Sequence, residues 1–243
     1  MKQIVGTTLR DDGDGPRENF VSDVSSAFYA DMYRRDGLTG GHVIMLGQGN
    51  DKAAIEALHA WPGGMQLGGG ISPDNASQYL DAGASHVIAT SYIFDGRGNF
   101  SLDKLAALVR AVGTRRLVLD LSCKKIGSGW IVAMNRWQTL TDLRITHDAL
   151  DQLSKSCDEF LIHAVDVEGK CDGIDEELVQ YLASWGGAPI TYAGGARCLD
   201  DLRRVQDISF GKIDVTIGSA LDIFGGSGVS YADCVAFNQR ERP

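Results

Sequence analysis

One arrangement of glycines and small hydroxyl residues occurs twice in this chain, and a chain that repeats itself across its halves is confined to folds with internal symmetry. Gly68-Gly69-Gly70-Ile71 is followed by Thr90-Ser91, and Gly194-Gly195-Ala196 is followed by Gly218-Ser219. The offsets nearly agree: 125 positions separate Gly69 from Gly194, and 128 separate Ser91 from Ser219. A strand-like run enters each glycine turn (Met65-Gln66-Leu67; Ile190-Thr191-Tyr192), a helix-like segment follows, and a second apolar run ends in the small hydroxyl residues. Glycine turns at helix N-termini are where backbone N–H groups can grip phosphate. Taken singly, each glycine pair is also explained as a tight strand-to-helix turn. Recurring together with Thr90-Ser91 and Gly218-Ser219, they point to a small ligand carrying two phosphates.

Between these turns, short apolar runs alternate with longer amphipathic stretches, the pattern of a parallel sheet with crossover helices. Strands are expected at residues 42–47, 65–69, 86–91, 116–122, 160–167, 190–194 and 215–220. Runs such as Leu117-Val118-Leu119 are apolar without alternation, as in strands covered on both faces. Helices fit the intervals. Leu102, Leu105, Ala106, Leu108, Val109 and Val112 repeat with helical spacing. Ser72-Pro73-Asp74 reads as an N-cap with proline in the first turn, and Asp175-Glu176-Glu177 puts acid at the positive end of a helix. The run Trp130 to Asn135 reads as an extended excursion on the loop side. At 243 residues with no linker-like stretch, the expectation is one α/β barrel domain over residues 1–243. Such a barrel needs eight strands and the sequence supplies seven; the deficit is at the N-terminus, where residues 2–9 could be extended but lead into a polar, glycine-rich stretch.

A formal net charge of −9 argues against nucleic-acid or anionic-membrane partners, which require a concentrated cationic surface. The five cysteines form no C-x-x-C pair and no metal-ligand spacing with histidine, so they read as free cytosolic thiols, and no metal or cofactor is expected. No apolar run approaches a membrane span, and the polar start is unlike a signal peptide. A cytoplasmic monomer is expected.

Asp120 ends the run Leu117-Val118-Leu119-Asp120, where an isolated carboxylate costs several kcal/mol to bury. In parallel barrels that end of a strand faces the active site. Asp120 is therefore read as catalytic, with loop capping as its structural alternative. His163 reads as a satisfied core or rim histidine, and Asp166 and Glu168, whose alternation points both to one face, as orienting a loop or contacting substrate. Trp137 is either a core anchor or a lid that stacks on a planar ring.

Several segments closely resemble one family. Met1 to Gly6 (MKQIVG), Gly68-Gly69-Gly70-Ile71, Val118 to Cys123 (VLDLSC), residues 130–143 (WIVAMNRWQTLTDL), residues 161–169 (LIHAVDVEG), Tyr192-Ala193-Gly194-Gly195 and residues 221–226 (LDIFGG) are similar to the eukaryotic-type phosphoribosylformimino-aminoimidazole carboxamide ribotide isomerases of histidine biosynthesis. The likeness covers essentially the whole chain. It implies a (β/α)8 TIM-type barrel of duplicated half-barrels and a cofactor-free Amadori rearrangement of an aminoaldose bearing two phosphates. It implies Asp120 as the acid that protonates the ribose ring oxygen, Gly69, Gly70, Thr90 and Ser91 as one phosphate cradle, and Gly194, Gly195, Gly218 and Ser219 as the other; Trp137 joins the substrate-binding candidates through its reading as a stacking lid. Two departures stand out. Ala164 occupies a position where many bacterial relatives carry threonine. The family's first strand, ending in an Asp that acts as general base, would precede Lys2; shifting Asp120 back by the repeat offset gives −5 (120 − 125), before Met1. The expectation is thus a chain lacking its first strand and impaired as written. A non-catalytic bisphosphate-binding barrel and the related cyclase of the same pathway are the rival readings.

Overall fold

All seven expected runs form strands, each starting within two residues of its expected position and ending one to four residues early. In chain order the strands are β1 (Lys2–Ile4), β2 (Glu18–Val21), β3 (Gly41–Ile44), β4 (Met65–Gly68), β5 (His86–Ala89), β6 (Leu117–Asp120), β7 (Cys123–Ile126), β8 (Gly129–Met134), β9 (Thr139–Arg144), β10 (Glu159–His163), β11 (Ile190–Ala193) and β12 (Ile213–Thr216). The helices are α1 (Ser26–Arg35), α2 (Asp51–Ala60), α3 (Ala76–Asp81), α4 (Leu102–Val112), α5 (His147–Leu153), α6 (Glu176–Trp185), α7 (Leu199–Ser209) and α8 (Tyr231–Glu241). The computed structural model describes residues 2–4 and 18–241. Past the strand ends, Gly69, Thr90-Ser91, Gly194 and Gly218-Ser219 leave the ladder, while Ala164 keeps a single parallel bridge to Cys123.

The chain divides into two units, one comprising Asp23–Asp120 with Thr141–Phe160, the other Lys2–Ser22, Leu121–Leu140 and Leu161–Pro243. In the first unit, β3, β4, β5 and β6 pair in parallel, with Gly41 opposite Met65, Gln66 opposite His86 and Val87 opposite Leu117. Leu67, Val87, Leu117, Val118 and Leu119 have no solvent exposure, and each contributes about 1.5–3 kcal/mol by burial. Helix α4 follows its sequence pattern: the Ser101 side chain accepts from Lys104 N, Leu105 and Leu108 are buried, and Gly113 ends the helix at φ +77°.

In the second unit, β11 and β12 pair in parallel from Ile190 opposite Ile213, and Ala164 N donates to Ala193 O at 2.8 Å. The expected excursion is a hairpin in which β7 and β8 pair antiparallel, Cys123 opposite Val132. Asp175 caps α6, its side chain accepting from Leu178 N, with Glu176 and Glu177 in the first turn.

Two expectations need correction, and a third is met in part. Helix α3 starts at Ala76, so Ser72 is not its cap and Pro73 is not in its first turn. Asn75 prevents an earlier start: its Oδ1 accepts from Ser72 N and its Nδ2 donates to Gly70 O, both at 2.9 Å, closing a turn ahead of the helix. Asp166 and Glu168 lie in a turn beyond β10, so strand alternation does not apply to them. Within the expected extended segment 2–9, Lys2–Ile4 is a strand, but it pairs antiparallel with Glu18–Val21 and not with the parallel strands; the remaining positions lie outside the described residues. Among the described residues, β3 has one sheet neighbour, β4, and β12 has one, β11.

Candidate functional site

Gly69, Gly70, Thr90, Ser91 and Asp120 belong to the first unit; Trp137, Gly194, Gly195, Gly218 and Ser219 belong to the second. In the first unit the glycine turn leaves the carboxyl end of β4 with Gly69 at φ +101° and Gly70 at φ +68°. The two glycines are required for different reasons. A Cβ on Gly69 would stand 2.0 Å from Met45 O, whereas one on Gly70 would meet nothing within 4 Å. Gly69 lets two backbone segments touch, and exposed Gly70 leaves open space beside the backbone, as a phosphate oxygen needs.

Asp120, 9% exposed, ends β6. Thr90 Oγ1 donates to Asp120 Oδ2 at 3.2 Å. This hydroxyl, expected in the phosphate cradle, bonds to the carboxylate here. Ser91 opens a short 3-10 turn, Ser91–Ile93, and is exposed on the same loop.

The second unit repeats the glycines but not the space. Gly194 at φ +120° and Gly195 at φ +76° keep the left-handed backbone. Here a Cβ on Gly195 would lie 2.0 Å from Gly173 O, and Gly173 N donates to Gly195 O at 3.1 Å. The loop after β10 therefore covers Gly195, which is buried where Gly70 is exposed. That loop also reaches the hydroxyl of the pair Gly218-Ser219: Cys171 Sγ and Ser219 Oγ are 3.3 Å apart. Arg197 Nη1 donates to Asp172 O at 3.1 Å and pairs with Asp201 at 3.3 Å, placing a guanidinium beside the turn. Position 173 and Arg197 carried no signal in the sequence reading, because their relation to Gly195 is one of contact and not of spacing.

Trp137 is the last of three consecutive residues with left-handed backbone, Asn135 (φ 53°), Arg136 (φ 55°) and Trp137 (φ 66°), immediately after β8. Each non-glycine residue in that region costs about 1–2 kcal/mol, and runs of them cluster where geometry serves function. Trp137 is half-buried, its ring 6.3 Å from that of His163 at an interplanar angle of 44°, so it is not a core anchor. The anchor is Trp130, 6% exposed, whose ring packs against Tyr181 at 5.5 Å. Lys125, one strand away, donates through N to Asp166 Oδ2 at 2.8 Å and through Nζ to Glu177 Oε2 at 2.5 Å. The Glu177 carboxylate beside it raises the Lys125 ammonium above its ordinary range.

Parallel strands followed by helices, with a buried carboxylate at one strand end and left-handed glycine turns at two others, define an α/β protein of the (β/α)8 class. A family model described as histidine biosynthesis protein matches residues 10–226. The chain belongs to that family. It is 51% identical to 1-(5-phosphoribosyl)-5-((5-phosphoribosylamino)methylideneamino)imidazole-4-carboxamide isomerase of Neurospora crassa, over 99% of this chain and 95% of that protein. It is 49% identical to the isomerase of the same name from Saccharomyces cerevisiae, over 99% and 94%. A Medicago truncatula relative whose name adds "chloroplastic" is 50% identical over 100% of this chain and 79% of its own length.

Proposed function

We propose that this chain is the isomerase its relatives are named for, converting the aminoaldose end of a bisphosphorylated aminoimidazole carboxamide ribotide to the aminoketose in histidine biosynthesis. The observation that carries the reading is Asp120: a nearly buried carboxylate at a strand's carboxyl end, oriented by Thr90 Oγ1. As an acid it gives its proton to the ribose ring oxygen while the C1–O bond breaks, leaving a C1=N iminium on the opened sugar. A second group in the opposite protonation state takes the C2 proton, and the electron pair moves to form the enolamine, which becomes the ketone.

In the first unit, exposed Gly70 is read as phosphate-binding; in the second, where Gly195 is covered, the reading rests on Ser219 and on the Arg197 guanidinium beside the left-handed Gly194-Gly195 turn. Trp137, beside His163, supplies a face for the planar aminoimidazole ring. Among the described residues no helix is long and apolar enough to cross a membrane. We place the activity in the cytoplasm, in a monomer without cofactor. The test is turnover of the aminoaldose by the purified chain, followed by separation of aldose from ketose, together with growth of a histidine auxotroph lacking this isomerase. Asp120→Asn should lower kcat by about 10²–10⁴-fold with unaltered melting. A variant as active as the parent removes Asp120 from the chemistry, and cyclised product in place of ketose would favour the cyclase.

A further inference from the structure

Trp137 stands on a strained turn that must be held in place by something other than its own backbone preference. The hairpin leading to it is fastened through Trp130, whose Nε1 donates to Asp175 Oδ2 at 3.2 Å. Asp175 makes two further bonds with other atoms. Its Oδ1 accepts from Leu178 N at 3.0 Å to cap α6, and its backbone N donates to Tyr192 Oη at 2.8 Å. Tyr192 is fully buried on β11, two residues before Gly194, and burial pushes its hydroxyl well above the usual range. Two residues before Asp175, Gly173 exchanges the close backbone contact with Gly195.

We infer that Asp175 is a positioning residue that joins the Trp137-bearing hairpin to the phosphate turn at Gly194-Gly195, with Trp130 on one side and Tyr192 on the other. This rests on the reading of that turn as a phosphate grip. Helix capping alone needs one oxygen, which serine supplies as well as aspartate. The second carboxylate oxygen is spent on Trp130, which lies in a different element. A segment attached at both ends to buried groups transmits a shift at one end to the other, so occupancy of the phosphate turn stiffens the hairpin.

Two substitutions isolate the link. Asp175→Ser retains a cap for α6 and deletes the oxygen facing Trp130; Trp130→Phe retains an aromatic ring against Tyr181 and deletes the donor. The first measurement is amide hydrogen exchange with inorganic phosphate as the probe. In the parent protein, phosphate should slow exchange at residues 194–197 and at 129–138; in either variant, only at 194–197. Protection at 194–197 without protection at 129–138 in the parent overturns the coupling and leaves the phosphate grip standing, whereas protection at neither overturns both. Equal hairpin protection in parent and variants also overturns it. The second measurement is kcat/KM for the aminoaldose. Each single variant should lose about tenfold, and the double variant should lose no more than either single one, since both break the same bond. Additive losses would mean two independent structural effects and would defeat the inference.

Discussion

Substituting alanine at Gly69 and at Gly70 should separate two roles that the sequence presents as one. A Cβ at Gly69 would sit 2.0 Å from Met45 O, 2.7 Å from Met45 C and 2.8 Å from Met45 N, all backbone atoms that no rotamer change can move aside. With φ at +101° the alanine is strained even before the clash. A substitution combining both effects belongs with the large destabilisations, on the order of 3–5 kcal/mol, or roughly 10 °C in Tm for a chain of this size. Gly70→Ala meets no atom within 4 Å, so its cost is that of φ +68°, about 1 kcal/mol and about 2–4 °C. Its methyl group, however, enters the open space beside Gly70 that the proposed function gives to phosphate. Loss of one charge-assisted hydrogen bond, about 1.5–3 kcal/mol, raises KM about 10- to 150-fold. Differential scanning calorimetry with steady-state isomerase kinetics measures both. Gly69→Ala melting with the parent, or Gly70→Ala with an unchanged KM, would refute the division of labour.

Thr90→Val, which keeps the shape and removes the hydroxyl held against Asp120, should lower kcat by about tenfold or more while changing KM less; a pure KM effect would return Thr90 to the phosphate cradle. Iodoacetamide at pH 8 should label Cys171 and Cys198 first, and Cys123 and Cys157 only on unfolding, as peptide mass spectrometry will show. Burial pushes the Cys157 thiol from 9.0 up to about 12. The folded protein therefore keeps a proton that the unfolded chain gives up, so this contribution is complete below about pH 9 and is lost as pH rises towards 12, by at most about 1.4 kcal/mol per pH unit. Denaturant midpoints that rise over that interval would contradict it. Phe210 ends α7 at φ 54° and is 87% exposed; Phe210→Gly should raise Tm by about 2–4 °C with turnover unaltered.

The strand starts were legible because runs such as Leu117-Val118-Leu119 have no other use than burial on both faces. Their ends were not, since Gly69 and Gly194 extend an apolar run in composition while leaving the ladder in conformation. Asp120 was legible as a carboxylate out of place in a buried strand. Its bond from Thr90 was not, because residues thirty positions apart in sequence meet only through the sheet. The pair Trp130 and Trp137 shows the same limit. Both stand in one segment, yet only folding shows that Trp130 is buried in the packing and Trp137 is half-buried beside His163. Asn75 supplied two side-chain bonds that reassigned the start of α3, a choice invisible beside the stronger Ser-Pro-Asp signal.

The covering of Gly195 by Gly173, with Gly70 left open, bears on how such a chain could be rebuilt. A synthetic gene made by joining two copies of the first half would repeat the paired glycines and a small hydroxyl pair, with threonine in place of Gly218. It would lack the stretch from Cys171 to Asp175, and with it the carbonyl resting on the second turn, the thiol beside Ser219 and the tether to the hairpin. The two halves of this protein are alike in pattern and unlike in what covers their glycine turns.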